Sequence, residues 1–217
     1  MIDKTKLKAL GELEKYLLGT HERELIVADR LSNLIGVLID IKPACIFDFR
    51  KADFSKIDDK KVRNYLEKLG LVFRIEDTLV EVKDGEDFEI STYFVSKKQE
   101  TLDMLVDAEH ELYDLFDEKE PNAPVIKMEH RKIGRLLGYP ETAIEYFLVR
   151  SEKMDLGEIP VEEAMKDVEK YHHFIHSRVN GEEEFEEYDK PIHEAMEKYL
   201  PTSAKILREN SGEKRWL

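Results

Sequence analysis

Hydrophobic residues recur at helical spacing along the first forty residues, and the pattern then changes. Apolar residues at positions 7, 10, 13 and 17 predict an amphipathic helix that ends at Gly19. A wider apolar stripe over residues 27–38 predicts a second helix at the centre of the core, and Pro43 follows it. The mostly apolar run 44–49 then predicts a buried strand.

The next segment predicts one helix and a pair of strands. Apolar spacing over 62–69 indicates a short helix that ends at Gly70. Apolar and polar residues alternate over 71–75 and again over 88–94, which predicts two strands. A helix followed by a strand pair resembles the end of a winged helix, and it fits a small mixed or antiparallel sheet with helices on one face equally well.

From residue 97 onward the pattern is helical. Helical periodicity covers a long segment that begins after Ser96 and the segments 127–137, 140–151, 160–179 and 190–209. The acidic run 182–189 is predicted to be a loop. We therefore predict an α+β protein, with a small mixed or antiparallel sheet and helices in residues 1–96 and an all-helical part in residues 97–217. The two parts are either separate domains or share one core.

The segment HRKIGRLLGYPETAIEYFL (130–148) has the spacing of a helix–turn–helix. Gly138 is placed to end the first helix in a left-handed conformation, and Pro140 is suited to the first position of the second. Gly134 is small enough to let the two helices approach closely. The segment therefore predicts a compact helical corner.

The charges of this corner argue against a DNA reader. The second helix carries Glu141 and Glu145, which would face phosphates, whereas the basic strip of Lys127, Arg131, Lys132 and Arg135 precedes the turn. We expect a structural corner that also serves as a binding surface, with the basic strip as a docking site for an anion. The candidate binding residues are Arg131, Arg135, Tyr139, Pro140 and Glu141.

The motif Arg135-Leu136-Leu137-Gly138-Tyr139-Pro140-Glu141, preceded by Phe94-Val95-Ser96 and a long acidic helix, resembles an uncharacterised prokaryotic family that is mostly archaeal. The resemblance covers about residues 90–150. In that family a pair of cysteines often follows the Leu-Gly-Tyr-Pro turn, whereas Thr142 and Ala143 stand there in this chain. The resemblance implies no known activity, and it carries over no thiol or metal chemistry.

A second candidate site lies on the predicted helix 160–179. Glu169 and His173 are four residues apart, as are His172 and His176, so each pair shares a helical face. Neutral imidazoles with a carboxylate suit zinc or iron. In the alternative interpretation His172 packs at the edge of the core and the other histidines are solvated, and a third interpretation is a pH-sensitive surface.

Composition limits the partners and the compartment. The net charge of −14 argues against a nucleic-acid or anionic-membrane partner for the whole surface, although it allows a local basic strip. Charged residues make up 38% of the chain, which is typical of hyperthermophile surfaces and also of highly soluble mesophile proteins. The single cysteine, Cys45, suits a reducing cytosol, and no signal peptide or membrane-spanning run is found.

Three classes of function remain. The first is a non-catalytic binding or interaction module that uses the corner at 130–148, needs no cofactor, and takes a protein or a small anionic ligand as its partner. The second is a metal-dependent enzyme that uses the cluster at 169–176. The third is a helix–turn–helix or winged-helix regulator, although the charges argue against duplex DNA. Catalysis and homo-oligomerisation are left open.

Overall fold

The computed structural model describes residues 2–20, 24–50, 57–80, 87–117, 123–155 and 181–210. The chain divides into two compact units, the first formed by Met1–Leu102 with Ile192–Leu217 and the second by Asp103–Pro191. The described residues form helices and one three-stranded antiparallel sheet, so the α+β prediction is confirmed.

The helices and strands follow one another in a simple order. They are α1 (Lys4–Thr20), α2 (Glu24–Leu38), β1 (Ala44–Arg50), α3 (Asp59–Lys68), β2 (Val72–Val80), β3 (Phe88–Ser96) and α4 (Gln99–Asp117). They continue with α5 (Ala123–Leu136), α6 (Glu141–Asp155), α7 (Gly181–Glu184), a π-helical turn (Phe185–Asp189), α8 (Lys190–Tyr199) and α9 (Pro201–Asn210). Among the described residues, none of these helices is long and apolar enough to cross a membrane.

Helix α2 lies at the centre of the first unit, as its apolar stripe predicts. Leu31, Leu34 and Ile35 are at most 1% exposed, and the helix contacts α1, β1 and α9. At Gly36 a Cβ atom would lie 3.1 Å from side-chain atoms of both Ile192 and Lys42, so the neighbours approach the helix backbone itself. Helix α2 is therefore covered on several sides at once.

The sheet has the strand order β1-β3-β2, with β3 between two antiparallel neighbours. Val95 on β3 pairs with Cys45 on one side and with Phe73 on the other. Tyr93 is fully buried on the same strand, stacks on Phe47 with ring centroids 5.0 Å apart, and donates a hydrogen bond to Asp59 at the start of α3. This bond attaches α3 to the central strand.

The C-terminal segment packs in the first unit. The predicted helix 190–209 is divided at Leu200 into α8 and α9, because Pro201 begins a new helix. The backbone N–H and the hydroxyl of Ser203 both donate to buried Glu14 of α1, at 2.8 and 2.7 Å. The sequence analysis places α8 and α9 in the helical part 97–217, whereas α9 packs with α1 and α2 of the first unit. The division of the chain into two domains after residue 96 stays a prediction.

The predicted acidic loop at 182–189 is wrong. Residues Gly181–Glu184 form a helical turn and Phe185–Asp189 a π-helical turn. Glu184 and Asp189 are buried rather than solvated. A run of acidic residues is usually solvated, yet two carboxylates of this run are buried.

Replacing a core leucine of α2 should show how much the first unit depends on this helix. We expect Leu34→Ala to lower the free energy of unfolding by about 2–5 kcal/mol, because it leaves a cavity in a fully enclosed position. Leu25→Ala is the matched control, since Leu25 is 43% exposed at the start of the same helix. Denaturant unfolding measures both, and a loss within about 0.5 kcal/mol at Leu34 would make α2 peripheral.

Candidate functional site

A left-handed turn at Gly138 joins α5 to α6. Gly138 has φ 81°, a conformation that residues with a Cβ atom rarely adopt. The N–H of Gly138 donates to the carbonyl of Arg135 at 3.1 Å, and the N–H of Tyr139 donates to the carbonyl of Gly134 at 2.9 Å. These two bonds form a Schellman motif, which confirms the predicted glycine cap.

The two helices of the corner pack closely at Gly134. A Cβ atom there would lie 2.9 Å from Cγ1 of Ile144, so only a glycine fits without a shift of its neighbour. Pro140 is buried, and its carbonyl accepts the N–H of Ile144 at 2.9 Å. Pro140 therefore precedes α6, which begins one residue later than predicted.

An apolar cavity of about 160 Å³ opens at this corner. Its lining residues are His130, Ile133, Gly134, Leu137, Tyr139, Ala143, Ile144 and Phe147. Six of these eight residues have an apolar side chain or none, and the polar atoms come from an imidazole and a phenol. The cavity therefore suits a small apolar group.

His130 contributes the imidazole of the cavity wall and lies between two aromatic rings. Its ring meets Phe147 edge to face, with centroids 5.6 Å apart, and lies 6.3 Å from the ring of Phe116 on α4. Burial lowers the pKa of His130 below its usual value. The imidazole is therefore uncharged at neutral pH, which keeps the cavity free of a net charge.

The two arginines of the basic strip bind carboxylates of α6. Arg135 donates to Glu141 from Nε at 2.5 Å and from Nη2 at 3.0 Å, and Arg131 donates in the same two-pronged way to Glu145 at 2.6 and 2.9 Å. These hydrogen bonds lower the pKa of Glu141 and of Glu145. The acidic second helix, which does not suit a DNA reader, thus supplies the partners of the basic first helix.

The two lysines of the strip are also paired. Lys127 lies 2.8 Å from Glu152 of α6, so a third ion pair continues the row formed by the arginines. Lys132 lies 3.2 Å from buried Glu129 and 3.6 Å from Glu111 of α4. Every cation of the basic strip therefore has a carboxylate within 4 Å, and an anion would have to compete with these partners.

The five candidate binding residues consequently have different places. Tyr139 lines the cavity, and Pro140 is buried beside the turn. Arg131, Arg135 and Glu141 lie in ion pairs on the outside of the corner. The sequence did not single out His130, Ala143 and Phe147 as site residues. His130 precedes Ile133 by three residues, and Phe147 follows Ile144 by three and Ala143 by four. This helical spacing is the signal from which the three residues were predictable.

The two residues that replace the expected cysteines have clear structural roles. The hydroxyl of Thr142 donates to buried Glu184, and Ala143, 1% exposed, lines the cavity. No family model, curated protein sequence or solved structure matches the chain. The resemblance to the archaeal family therefore stays a prediction.

The histidine cluster of the metal hypothesis lies outside the described residues. Because this applies to Glu169, His172, His173 and His176 alike, the cluster stays a prediction. Within the described ranges, no group of three or more His, Cys, Asp or Glu side chains is placed to hold a metal ion. Burial raises the pKa of Cys45 to about 12, which keeps this thiol protonated and unreactive.

Two glycine substitutions should separate the close approach at Gly134 from simple helix propensity. Apart from its own helix backbone, a Cβ atom at Gly11 in α1 would have no atom of the described residues within 4 Å, so Gly11→Ala should raise the free energy of unfolding by about 0.5–1 kcal/mol. Gly134→Ala should raise the free energy of unfolding by less than this, or lower it, because Ile144 must move. Denaturant unfolding of both variants measures the difference, and equal gains would show that the corner is loosely packed.

Acidification should destabilise the protein through His130. In the unfolded chain this histidine takes up a proton near pH 6.5, whereas burial delays its protonation in the folded chain to a lower pH. The free energy of unfolding should therefore fall as the pH drops below 6.5, until the folded pKa is passed. His130→Phe should reduce this fall in stability measured between pH 7.5 and 5. Identical pH slopes for the two proteins would contradict the assignment.

Proposed function

We propose that the protein is a non-catalytic binding module whose helical corner holds one apolar side chain of a partner protein. The apolar cavity between α5 and α6 is the observation that carries this proposal. Clefts for drug-sized ligands usually have about 300–1,000 Å³, whereas a cavity of about 150 Å³ accepts benzene. At about 160 Å³ the corner matches a single ring or a branched aliphatic side chain.

The ion pairs favour an apolar group over the anionic ligand that the sequence also suggested. Arg131 and Arg135 each give two hydrogen bonds to a carboxylate, and a planar guanidinium engaged in this way has few donors left for a second anion. Neither arginine lines the cavity. The arginines therefore act as braces between the two helices in this proposal, and the cavity provides the binding site.

An exposed aromatic side chain beside the cavity, and a second one on the same helix, support a protein as the partner. Phe116 is 56% exposed although its ring reaches His130 at the cavity wall. Tyr113, one helical turn earlier on α4, is 67% exposed. Aromatic residues are enriched at the centre of protein interfaces, and exposed apolar patches mark interaction sites.

Occupation of the cavity is testable with toluene as a probe. We expect saturating toluene to raise the midpoint of thermal unfolding, because a ligand that binds only the folded state stabilises it. Ala143→Leu should abolish the rise, since the added methyl groups fill the cavity that Ala143 lines. Ala123→Leu is the matched control, at an exposed position in the first turn of α5, and it should keep the full response.

The assignment of a protein partner needs a second measurement. Displayed peptides that are selected on the wild-type protein and counter-selected on Ala143→Leu should share one apolar anchor residue. A wild-type protein that shows no response to toluene, or a response that survives in Ala143→Leu, would contradict the binding site. A toluene response without any peptide that distinguishes the two proteins would contradict the protein partner and leave a small apolar molecule as the occupant.

A further inference from the structure

Helix α3 of the first unit presents a basic face to the solvent. Its exposed residues are Lys60, Lys61, Arg63, Asn64, Glu67 and Lys68. At 3.6 residues per turn these positions form one continuous face that is roughly 160° wide. Four of the six side chains are cationic and one is anionic, so this face is positive on a chain whose net charge is −14.

The cations of this face have no carboxylate partners among the residues that the structure describes. Instead, three of them lie over aromatic rings, with Lys61 Nζ 5.3 Å from the centre of the Tyr16 ring and Lys68 Nζ 5.5 Å from that of Tyr65. Arg63 lies 5.7 Å from the ring of Phe73 in the same way. A ring holds the charged group in place but accepts few of its N–H donors, which remain available to phosphate oxygens.

The rest of the unit holds α3 in a fixed position. Val62 and Leu66 are buried on its inner side, where the helix contacts α1 and β2. The Asp58 carboxylate caps the helix by accepting the N–H of Lys60 at 2.9 Å, and the Tyr16 hydroxyl accepts the N–H of Asp58 at 2.6 Å. The basic face therefore belongs to a well-anchored helix, which limits the entropy lost when it meets a ligand.

The strand order around α3 is the one that winged-helix domains use. A helix precedes β1, α3 lies between β1 and β2, and β2 and β3 form a hairpin in which β3 pairs with β1. In such domains the helix before the hairpin enters the major groove of DNA. A winged helix has two helices between its first strand and its hairpin, whereas α3 is the one helix described there.

We propose that the exposed face of α3 binds duplex DNA through the phosphate backbone. A ten-residue helix is about 15 Å long and enters a B-form major groove about 12 Å wide. The deep and narrow major groove of duplex RNA does not admit a helix. Asn64 lies near the centre of the basic face, where its amide is placed to meet base edges.

This surface is separate from the corner whose charges argue against a DNA reader. In the corner, acidic residues of α6 neutralise three of the four cations of the basic strip of α5. On α3 the cations are not neutralised in this way by the described residues, and DNA affinity depends on the local phosphate contacts rather than on the net charge of the chain. The proposed contact goes beyond the binding of an apolar side chain by the corner and does not depend on it.

Two matched double variants test the proposal. Lys60→Gln with Arg63→Gln removes two cations from α3, and Arg131→Gln with Arg135→Gln removes two from the corner, so both variants change the net charge equally. Fluorescence anisotropy with a labelled 20-base-pair DNA duplex measures binding between about 50 and 200 mM salt. Thermal unfolding of each variant checks that it is folded.

The wild-type protein should bind the duplex at 50 mM salt and lose affinity as salt rises, with a log–log slope of up to about −3.6 for four phosphate contacts. The α3 variant should bind at least tenfold more weakly and show a slope nearer to about −1.8, whereas the corner variant should stay within twofold of wild type. Absence of binding by the wild-type protein, or equal losses in the two variants, would overturn the proposal. Equal or tighter binding of single-stranded DNA or duplex RNA would overturn the assignment to duplex DNA.

Discussion

The burial of α2 is the constraint on which the first unit depends. Because Leu31, Leu34 and Ile35 need apolar neighbours around the helix, β1, α1 and α9 all pack against it. The backbone of α2 is also closely packed at Gly36, since side-chain atoms of Ile192 and Lys42 lie where a larger side chain would be. With α2 already enclosed, α3 packs against α1 and β2 along its narrow apolar side. Its remaining side, which carries the lysines and Arg63, therefore faces water.

In the second unit, the backbone turn at Gly138 determines which residues of α5 and α6 face each other. The turn sends α6 back along α5, so that Arg135 and Arg131 meet Glu141 and Glu145, which lie equally far from Gly138 on the second helix. One row of α5 meets Ile144 and borders the cavity, and the adjacent row carries Arg131 and Arg135 to the glutamates of α6. The cavity and the ion pairs thus have a common origin in the same turn. The absence of a side chain at Gly134 and the small side chain of Ala143 decide how much space remains between the helices.

Local signals in the sequence predict most of the fold and part of the site. The cap at Gly138 and the central stripe of α2 depend on conformational preference and on periodicity, which a short window contains. Other features depend on residues far apart in the chain. Glu14 accepts hydrogen bonds from Ser203 across 189 positions, and Glu184 accepts one from Thr142 across 42, so neither buried carboxylate was recognisable from its own neighbours. For the same reason, the run of glutamates before α8 has the sequence pattern of a solvated loop although it is helical.

The two basic helices show why charge along a sequence is a weak guide to binding. Three cations of helix α5 have a regular four-residue spacing, yet each of them pairs with a glutamate of α6. Helix α3 has a less regular set, and two of its cations meet aromatic rings of α1 and β2 in place of carboxylates. An incoming phosphate must break two-pronged hydrogen bonds on α5, whereas on α3 it displaces only water and counterions. The availability of a cation is therefore a property of the tertiary structure, and it explains how an acidic chain presents a basic surface.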